Sequence, residues 1–305
     1  MLCAAAILCG CTSSLNFDDL SSGPDVEDPG IVADAAMPDA IATDAGSVDG
    51  GVTAVDPATF SCASITPPAT FCDDFEGEVP EDVWSDVVIA PMTPMPAGAI
   101  RQDTRDRRAG TRSLLAVAQE GIGPSSWFSI AAVQTFPRLL QPARLTSEFD
   151  MKIEQIDPRP DQLAMAFQLI FGTQAEGYNQ FTLQLESRGV DVSTRFVQND
   201  YPASDSEVDP RSEFGQPSSS PAINQWVHVT FRLEATNPAG GGNRAFLQID
   251  DRVLFDGPLA YDLRPLTPQI EIGVPWVDST QITEQDRSRA WRVRFDNFLV
   301  RIDPR

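Results

Sequence analysis

From Ser113 onward, apolar side chains fall on every second position in run after run. That is the pattern of strands with one face buried and one face polar. Ser113–Gln119, Ser125–Phe136 and Leu145–Ile156 come first. In the third, Phe149, Met151 and Ile153 alternate with Glu148, Asp150, Lys152 and Glu154. Leu163, Met165, Phe167, Leu169 and Phe171 keep the same period, as do Phe181, Leu183 and Leu185. The last run turns through Ser187-Arg188-Gly189 into Val190–Val197, a hairpin signal. A polar stretch, Asn199–Pro221, reads as a long loop. Trp226–Ala235 follows, then the hairpin Arg244–Ile249/Arg252–Phe255 turning at Asp250-Asp251, then Gln269–Val274 and Trp291–Ile302. About ten to twelve short strands without an amphipathic helix predict an all-β chain of two antiparallel sheets packed face to face. With those strands as neighbours, Glu148, Asp150, Lys152, Gln168, Thr182, Gln184, Glu186, His228, Thr230, Arg232 and Glu234 would share one polar outer face.

The first hundred residues differ in kind. They hold 17 acidic residues and no lysine or arginine, whereas residues 101–305 hold 27 acids against all 22 bases. The formal charge of −22 therefore belongs mostly to the N-terminal part, and the strand-rich part is only mildly acidic. Residues 12–60 are mainly Ala, Asp, Gly, Ser, Pro and Val, with Phe17 the only aromatic before Phe60. Such a segment buries too little apolar area to offset its ordering entropy, and is expected to be a disordered acidic linker. A flexible chain of that length spans roughly 40 Å. Nucleic acid is excluded as a partner, because phosphate binding needs clustered cations that the charge balance does not favour.

The run Leu2–Cys9 has the apolar character of a signal peptide and is too short to span a bilayer. It ends in Leu8-Cys9-Gly10-Cys11, which resembles a bacterial lipobox, although Cys9 stands where alanine or serine is usual and no basic residues precede the run. The resemblance implies a signal peptide over 1–11, lipidation of Cys11, a true start upstream of Met1, and (from Thr12) delivery to the outer membrane or cell surface. Membrane contact would be through the lipid anchor alone. Beyond that segment only Cys62 and Cys72 remain, and in an oxidising compartment the pair predicts a disulfide. A metal site at this pair is the weaker reading, since neither cysteine has a further Cys or a His at ligand spacing.

Within residues 61–305 several motifs look familiar together. Phe71-Cys72-Asp73-Asp74-Phe75-Glu76-Gly77, followed by Trp84, resembles the opening strand of concanavalin A-like (laminin-G-like) jelly rolls of bacterial surface proteins. Gln225-Trp226-Val227-His228-Val229-Thr230 is similar to their Trp-x-His-Val strand. Ala245–Phe255 resembles their Asp-Gly hairpin, with Asp251-Arg252 in place of Asp-Gly. Ile272-Gly273 and Val293–Val300 complete the likeness. The resemblance implies a jelly-roll sandwich, a fold that serves lectins, glycosidases, lyases and adhesion modules alike.

Candidate chemistry is sparse. Glu148, Asp150 and Glu154 resemble the carboxylate strand of some glycoside hydrolases of this fold. Glu148 and Glu154, however, lie roughly 20 Å apart at strand rise, and retaining hydrolysis needs carboxyls about 5–5.5 Å apart. A solvated polar face explains them better. His228 is the only histidine. Lyases of the alginate-lyase type pair a histidine with a tyrosine, and Tyr178, Tyr201 and Tyr261 are available, but their Gln-Ile-His tripeptide is missing. Asp74, Glu76 and Asp296 would meet if the first and last strands pair, and hard oxygen ligands would suit a structural calcium, the only cofactor suggested. Trp127 and Trp276, with Gln184 and His228, are the candidate ligand-binding residues, while Trp84, Trp226 and Trp291 read as core. The expectation is a cell-envelope lipoprotein displaying a sandwich for non-catalytic binding of glycan or extracellular protein. A polysaccharide-degrading hydrolase or lyase of the same fold is the rival, and a structural envelope protein the third reading.

Overall fold

A computed structural model describes residues 59–90, 98–119, 127–139, 143–154, 163–173, 175–188, 191–203, 211–214, 223–236, 242–263, 267–278 and 290–304. The signal peptide, Cys11, nearly all of the linker and most of the predicted 199–221 loop lie outside these residues. Among the described residues, fifteen strands run in chain order: β1 (Phe71–Asp73), β2 (Asp86–Ala90), β3 (Gly98–Asp103), β4 (Ser113–Gln119), β5 (Trp127–Thr135), β6 (Ala143–Ile153), β7 (Leu163–Thr173), β8 (Gly177–Arg188), β9 (Asp191–Tyr201), β10 (Arg211–Phe214), β11 (Trp226–Ala235), β12 (Arg244–Ile249), β13 (Arg252–Pro258), β14 (Pro268–Asp278) and β15 (Ala290–Pro304). One four-residue helix, α1 (Pro80–Val83), follows β1.

The strands form two antiparallel sheets. The eight-stranded sheet has the order β13-β12-β11-β6-β15-β4-β3, with β1 also on β15, and the seven-stranded sheet has the order β10-β9-β8-β7-β14-β5-β2. Period-two patterning explains which face each strand buries. Along β11 every second residue is buried, from Val227 to Ala235. The inward residues of the two sheets meet in one core centred on phenylalanine. Phe149 stacks on Phe167 across the sandwich at 5.3 Å, and Phe167, Phe231, Phe181 and Phe196 continue the contact. Phe149 is fully buried. Truncating such a ring to alanine costs about 3–5 kcal/mol.

The opening motif is structural. Asp73 accepts from Phe75 N at 2.8 Å and from the Trp84 indole Nε1 at 2.8 Å, and Phe75 takes a positive φ of 56° to make the turn. Burial pushes the Asp73 carboxyl up from its ordinary range, against those two donors. The rings of Phe71, Trp84, Phe136 and Phe298 close over that end of the sandwich. Cys62 and Cys72 form the expected disulfide. Asp250 has a φ of 48° in the β12–β13 turn, which an aspartate tolerates better than most side chains.

Two sequence expectations are corrected. The stretch Asn199–Pro221 is not wholly loop, because β9 extends to Tyr201 and Arg211–Phe214 pairs with it as β10. Nor do the polar strand residues share one face. Glu148, Asp150, Lys152 and His228 belong to the eight-stranded sheet, whereas Gln168, Thr182, Gln184 and Glu186 belong to the seven-stranded one. A period of two reports which residues face together within a strand, but it does not report which strands are neighbours.

Candidate functional site

The outer face of the seven-stranded sheet carries a row of side chains that are polar and yet buried. On β8, Phe181, Leu183 and Leu185 point into the core, so Tyr178, Gln180, Thr182 and Gln184 take the other face. Opposite them on β9 stand Tyr201, Asn199, Val197 and Arg195. Gln168 of β7 lies beside Thr182, and Glu271 of β14 beside Gln168. Gln180 is 1% exposed, Gln168 4% and Glu271 8%.

These groups satisfy one another. Asn199 Nδ2 donates to Gln180 Oε1 at 2.8 Å, and Gln180 Nε2 donates to Gln168 Oε1 at 2.7 Å. Gln168 Nε2 in turn donates to Glu271, which also accepts from Gln269 Nε2 at 2.6 Å. The donors thus run in one direction across four strands and end on a carboxylate, a series in which each bond polarises the next. Burial pushes the Glu271 carboxyl up, against the two amide donors that stabilise its ionised form, and Asp86 adds to the rise.

Two tyrosines complete the patch. The rings of Tyr178 and Tyr201 stack at 4.4 Å, and Tyr201 Oη lies 3.4 Å from Gln180 Oε1. Burial, with Tyr201 and Glu271 beside it, drives the Tyr178 phenol far above the usual tyrosine range. Burial alone pushes Tyr201 up to about 12. Two phenols and two amides therefore occupy a square of adjacent positions, Tyr178 opposite Tyr201 and Gln180 opposite Asn199. Amides suit a carboxylate, and phenols can exchange protons.

The eight-stranded sheet carries a different network. His228 Nδ1 is 3.1 Å from Asp150 Oδ1, and Asn297 Nδ2 donates to Asp150 Oδ2 at 2.6 Å. The Asp150 hydrogen bond raises His228 above the usual imidazole range, against desolvation. Asp296 Oδ2 accepts from Arg108 N at 2.7 Å and Ala109 N at 3.0 Å. Burial, with Asp150 beside it, pushes Asp296 up to about 7 despite those donors. Lys152 pairs with Asp106, and Glu154 pairs with Arg292 and Arg294. Of the glycosidase-like trio, Asp150 and Glu154 are thus held by neighbours, the pattern of a structural polar face.

The ligand candidates divide between the sheets. Gln184 lies on β8, and Trp127 and Trp276 are backbone positions on β5 and β14 of the same sheet, whereas His228 lies on the other sheet. Tyr178 and Tyr201 are therefore separated from the only histidine by the thickness of the sandwich. Among the calcium candidates, β1 does pair with β15 as expected, but the carboxylates do not converge. Asp74 accepts from Cys62 N and Glu76 N, Glu76 accepts from Thr111 and Arg112, and Asp296 holds Arg108 and Ala109. Their oxygens serve backbone N–H groups and the Thr111 hydroxyl, and among the described residues no three His, Cys, Asp or Glu side chains are grouped to hold a metal ion.

Gln180, Asn199 and Glu271 escaped the sequence reading. Gln180 extends the Thr182/Gln184 alternation by one step and Glu271 alternates with Ile270 and Ile272, so both were within reach. Asn199 sits where β9 continues into a segment of loop-like composition.

No protein-family model matches the chain, and no curated protein sequence matches it. Solved structures do. An endo-β-1,4-glucuronan lyase from the fungus Trichoderma reesei overlays with a TM-score of 0.54 at 12% identity, covering 76% of this chain and 94% of that one. The alginate lyase Aly36B overlays with a TM-score of 0.50 at 9% identity, covering 76% and 95%. At such identities the likeness speaks to architecture alone. Two antiparallel sheets packed on one core, in a chain that overlays nearly the whole of those lyases, make this a concanavalin A-like jelly-roll β-sandwich.

Proposed function

We propose that the protein is a polysaccharide lyase that takes an acidic, uronate-bearing chain along the outer face of the seven-stranded sheet. The observation that carries this reading is the square of Tyr178, Tyr201, Gln180 and Asn199 on a sandwich that overlays a glucuronan lyase and an alginate lyase. Elimination from a uronate removes the proton on C5, breaks the C4–O bond, forms a C4=C5 double bond and returns a proton to the leaving oxygen. The Asn199 amide, whose Nδ2 has a second hydrogen beyond the one given to Gln180 and which Gln180 holds in place, suits the substrate carboxylate, whose partial neutralisation makes the C5 proton acidic enough to remove. Tyr201, the less strongly perturbed phenol, is the base, and Tyr178, held neutral, donates to the leaving oxygen. In this reading a lipid on Cys11 holds the protein at the outer membrane and residues 12–60 space the sandwich from the bilayer.

The test is incubation with polyglucuronate and alginate, with a neutral glucan as control, following the ultraviolet absorbance of the new double bond. Absorbance should rise with a uronate polymer, and Tyr201→Phe should abolish the rise. No unsaturated product from either polymer would overturn the reading. One observation favours non-catalytic glycan binding as the second reading: both phenols are held protonated, and the only histidine lies on the opposite sheet. Binding of the polymers without any unsaturated product would select it.

A further inference from the structure

The densest run of positive charge in the chain lies on the other side of the sandwich and has no part in the chemistry above. Residues 101–112 contain five arginines and two aspartates, immediately after a hundred residues without a base. Both aspartates are occupied inward. Asp103 accepts from Arg105 N at 2.7 Å and pairs with Arg294 at 3.5 Å, while Asp106 pairs with Lys152 and accepts from Trp226 Nε1 at 3.0 Å. The arginines at 101, 105, 107 and 108 are exposed.

The loop is held from beneath at several points. Asp296 takes the N–H groups of Arg108 and Ala109, and Glu76 takes those of Thr111 and Arg112. Ser113 Oγ donates to Asp106 O at 2.5 Å. Gly110 has a φ of 54°, and a Cβ there would fall 2.3 Å from Glu76 Oε1, so this clamp requires glycine. Arg107 spans the loop, donating to Gly110 O at 2.9 Å and Thr104 O at 3.1 Å. Arg105 and Arg108 close no salt bridge among the described residues. Residues 105–110 line a shallow, open and polar concavity of about 380 Å³.

We infer that this loop is a second glycan-binding site, in which Arg105 and Arg108 grip the carboxylates of an acidic polysaccharide from the outer face of the eight-stranded sheet. The guanidinium fork matches a carboxylate in two parallel hydrogen bonds. A clamped backbone means that little ordering entropy is lost on binding. Uronate as the anion rests on the proposed function, whereas the site itself rests on the loop. A bilayer is the poorer partner, because the acidic residues of the first hundred would be repelled by anionic lipid.

The test uses the full chain carrying Tyr201→Phe, so that cleavage does not intervene, with alginate oligosaccharides followed by titration calorimetry. R105E/R108E should weaken binding by about tenfold or more, as expected for losing charge-assisted hydrogen bonds, with the melting temperature unchanged. Arg105→Gln with Arg108→Gln serves if the reversal disturbs folding. Unchanged affinity in both variants would overturn the inference, as would equal binding of neutral oligosaccharides. Arginine-dependent capture by anionic vesicles, without oligosaccharide binding, would overturn it too. Loss of binding only in Gln180→Ala would sink the loop and leave the sheet face standing. Loss in the loop variants, together with no unsaturated product from the chain with Tyr201 intact, would do the reverse.

Discussion

Raising the pH tests the chemistry and the burial of Tyr201 together. A free tyrosine titrates near 10, and burial holds Tyr201 at about 12. If its phenolate is the base, the competent fraction grows about tenfold per pH unit below that value. Between about pH 7 and about pH 9 the rate should therefore rise roughly 100-fold. The same shift carries a stability cost with a definite sign. The folded pKa lies above the unfolded one, so Tyr201 contributes its full stabilisation below pH 10 and loses it as pH rises from there towards 12. A shift of two units corresponds to about 3 kcal/mol, and Tyr178, shifted the same way, adds to it. Initial rates should climb until about pH 10 and then fall as the protein unfolds, with thermal melting of the same samples marking the descent. Tyr201→Phe should abolish the rate and blunt the loss of stability above pH 10. A flat profile, or a bell centred near neutrality, would refute Tyr201 as the base and point to another group.

Breaking Cys62–Cys72 by Cys72→Ser should cost about 3 kcal/mol, the loop-closure entropy of a ten-residue separation, read as a lower denaturant midpoint. Glu76→Ala removes the acceptor of Thr111 N and Arg112 N. It should cost about 1–2 kcal/mol and accelerate hydrogen exchange at those two amides; protected amides would contradict the clamp. Burial pushes Glu76 up, but the Thr111 and Arg112 donors outweigh it and hold the carboxyl below its ordinary range. The stability from this clamp is therefore present above the ordinary glutamate pKa of about 4.3 and is lost as the pH falls through the lower folded value. Labelled fatty acid should be incorporated into the full chain and not into Cys11→Ser; incorporation into both would exclude Cys11 as the anchor.

Strand identity was legible because the core is a strict alternation. Trp226–Ala235 and Arg244–Ile249 coincide with the observed β11 and β12 to the residue. The short strands β2, β3 and β10 were not predicted as strands: the apolar residues of β2 and β3 are contiguous (Val87-Val88-Ile89-Ala90, Ala99-Ile100) rather than alternating, and β10 is four residues long. Neighbourhood was not legible either, and for that reason His228 and Gln184 were grouped although they lie on opposite sheets. The tyrosines were named as candidates by resemblance. What brings them together is the β8–β9 register, a long-range property set by where the hairpin turns. The carboxylates Asp74, Glu76 and Asp296 looked like calcium ligands because acceptor oxygens near paired termini have the same composition whether they face a cation or backbone N–H groups. Only the positions of Cys62 N, Thr111 N and Arg108 N decide between those roles.

The most direct measurement is a crystal structure of Tyr201→Phe soaked with a glucuronate or alginate oligosaccharide. The account predicts sugar density lying across β7, β8 and β9, with a carboxylate against the Asn199 amide. An oligosaccharide seen only elsewhere, with that face untouched, would contradict it.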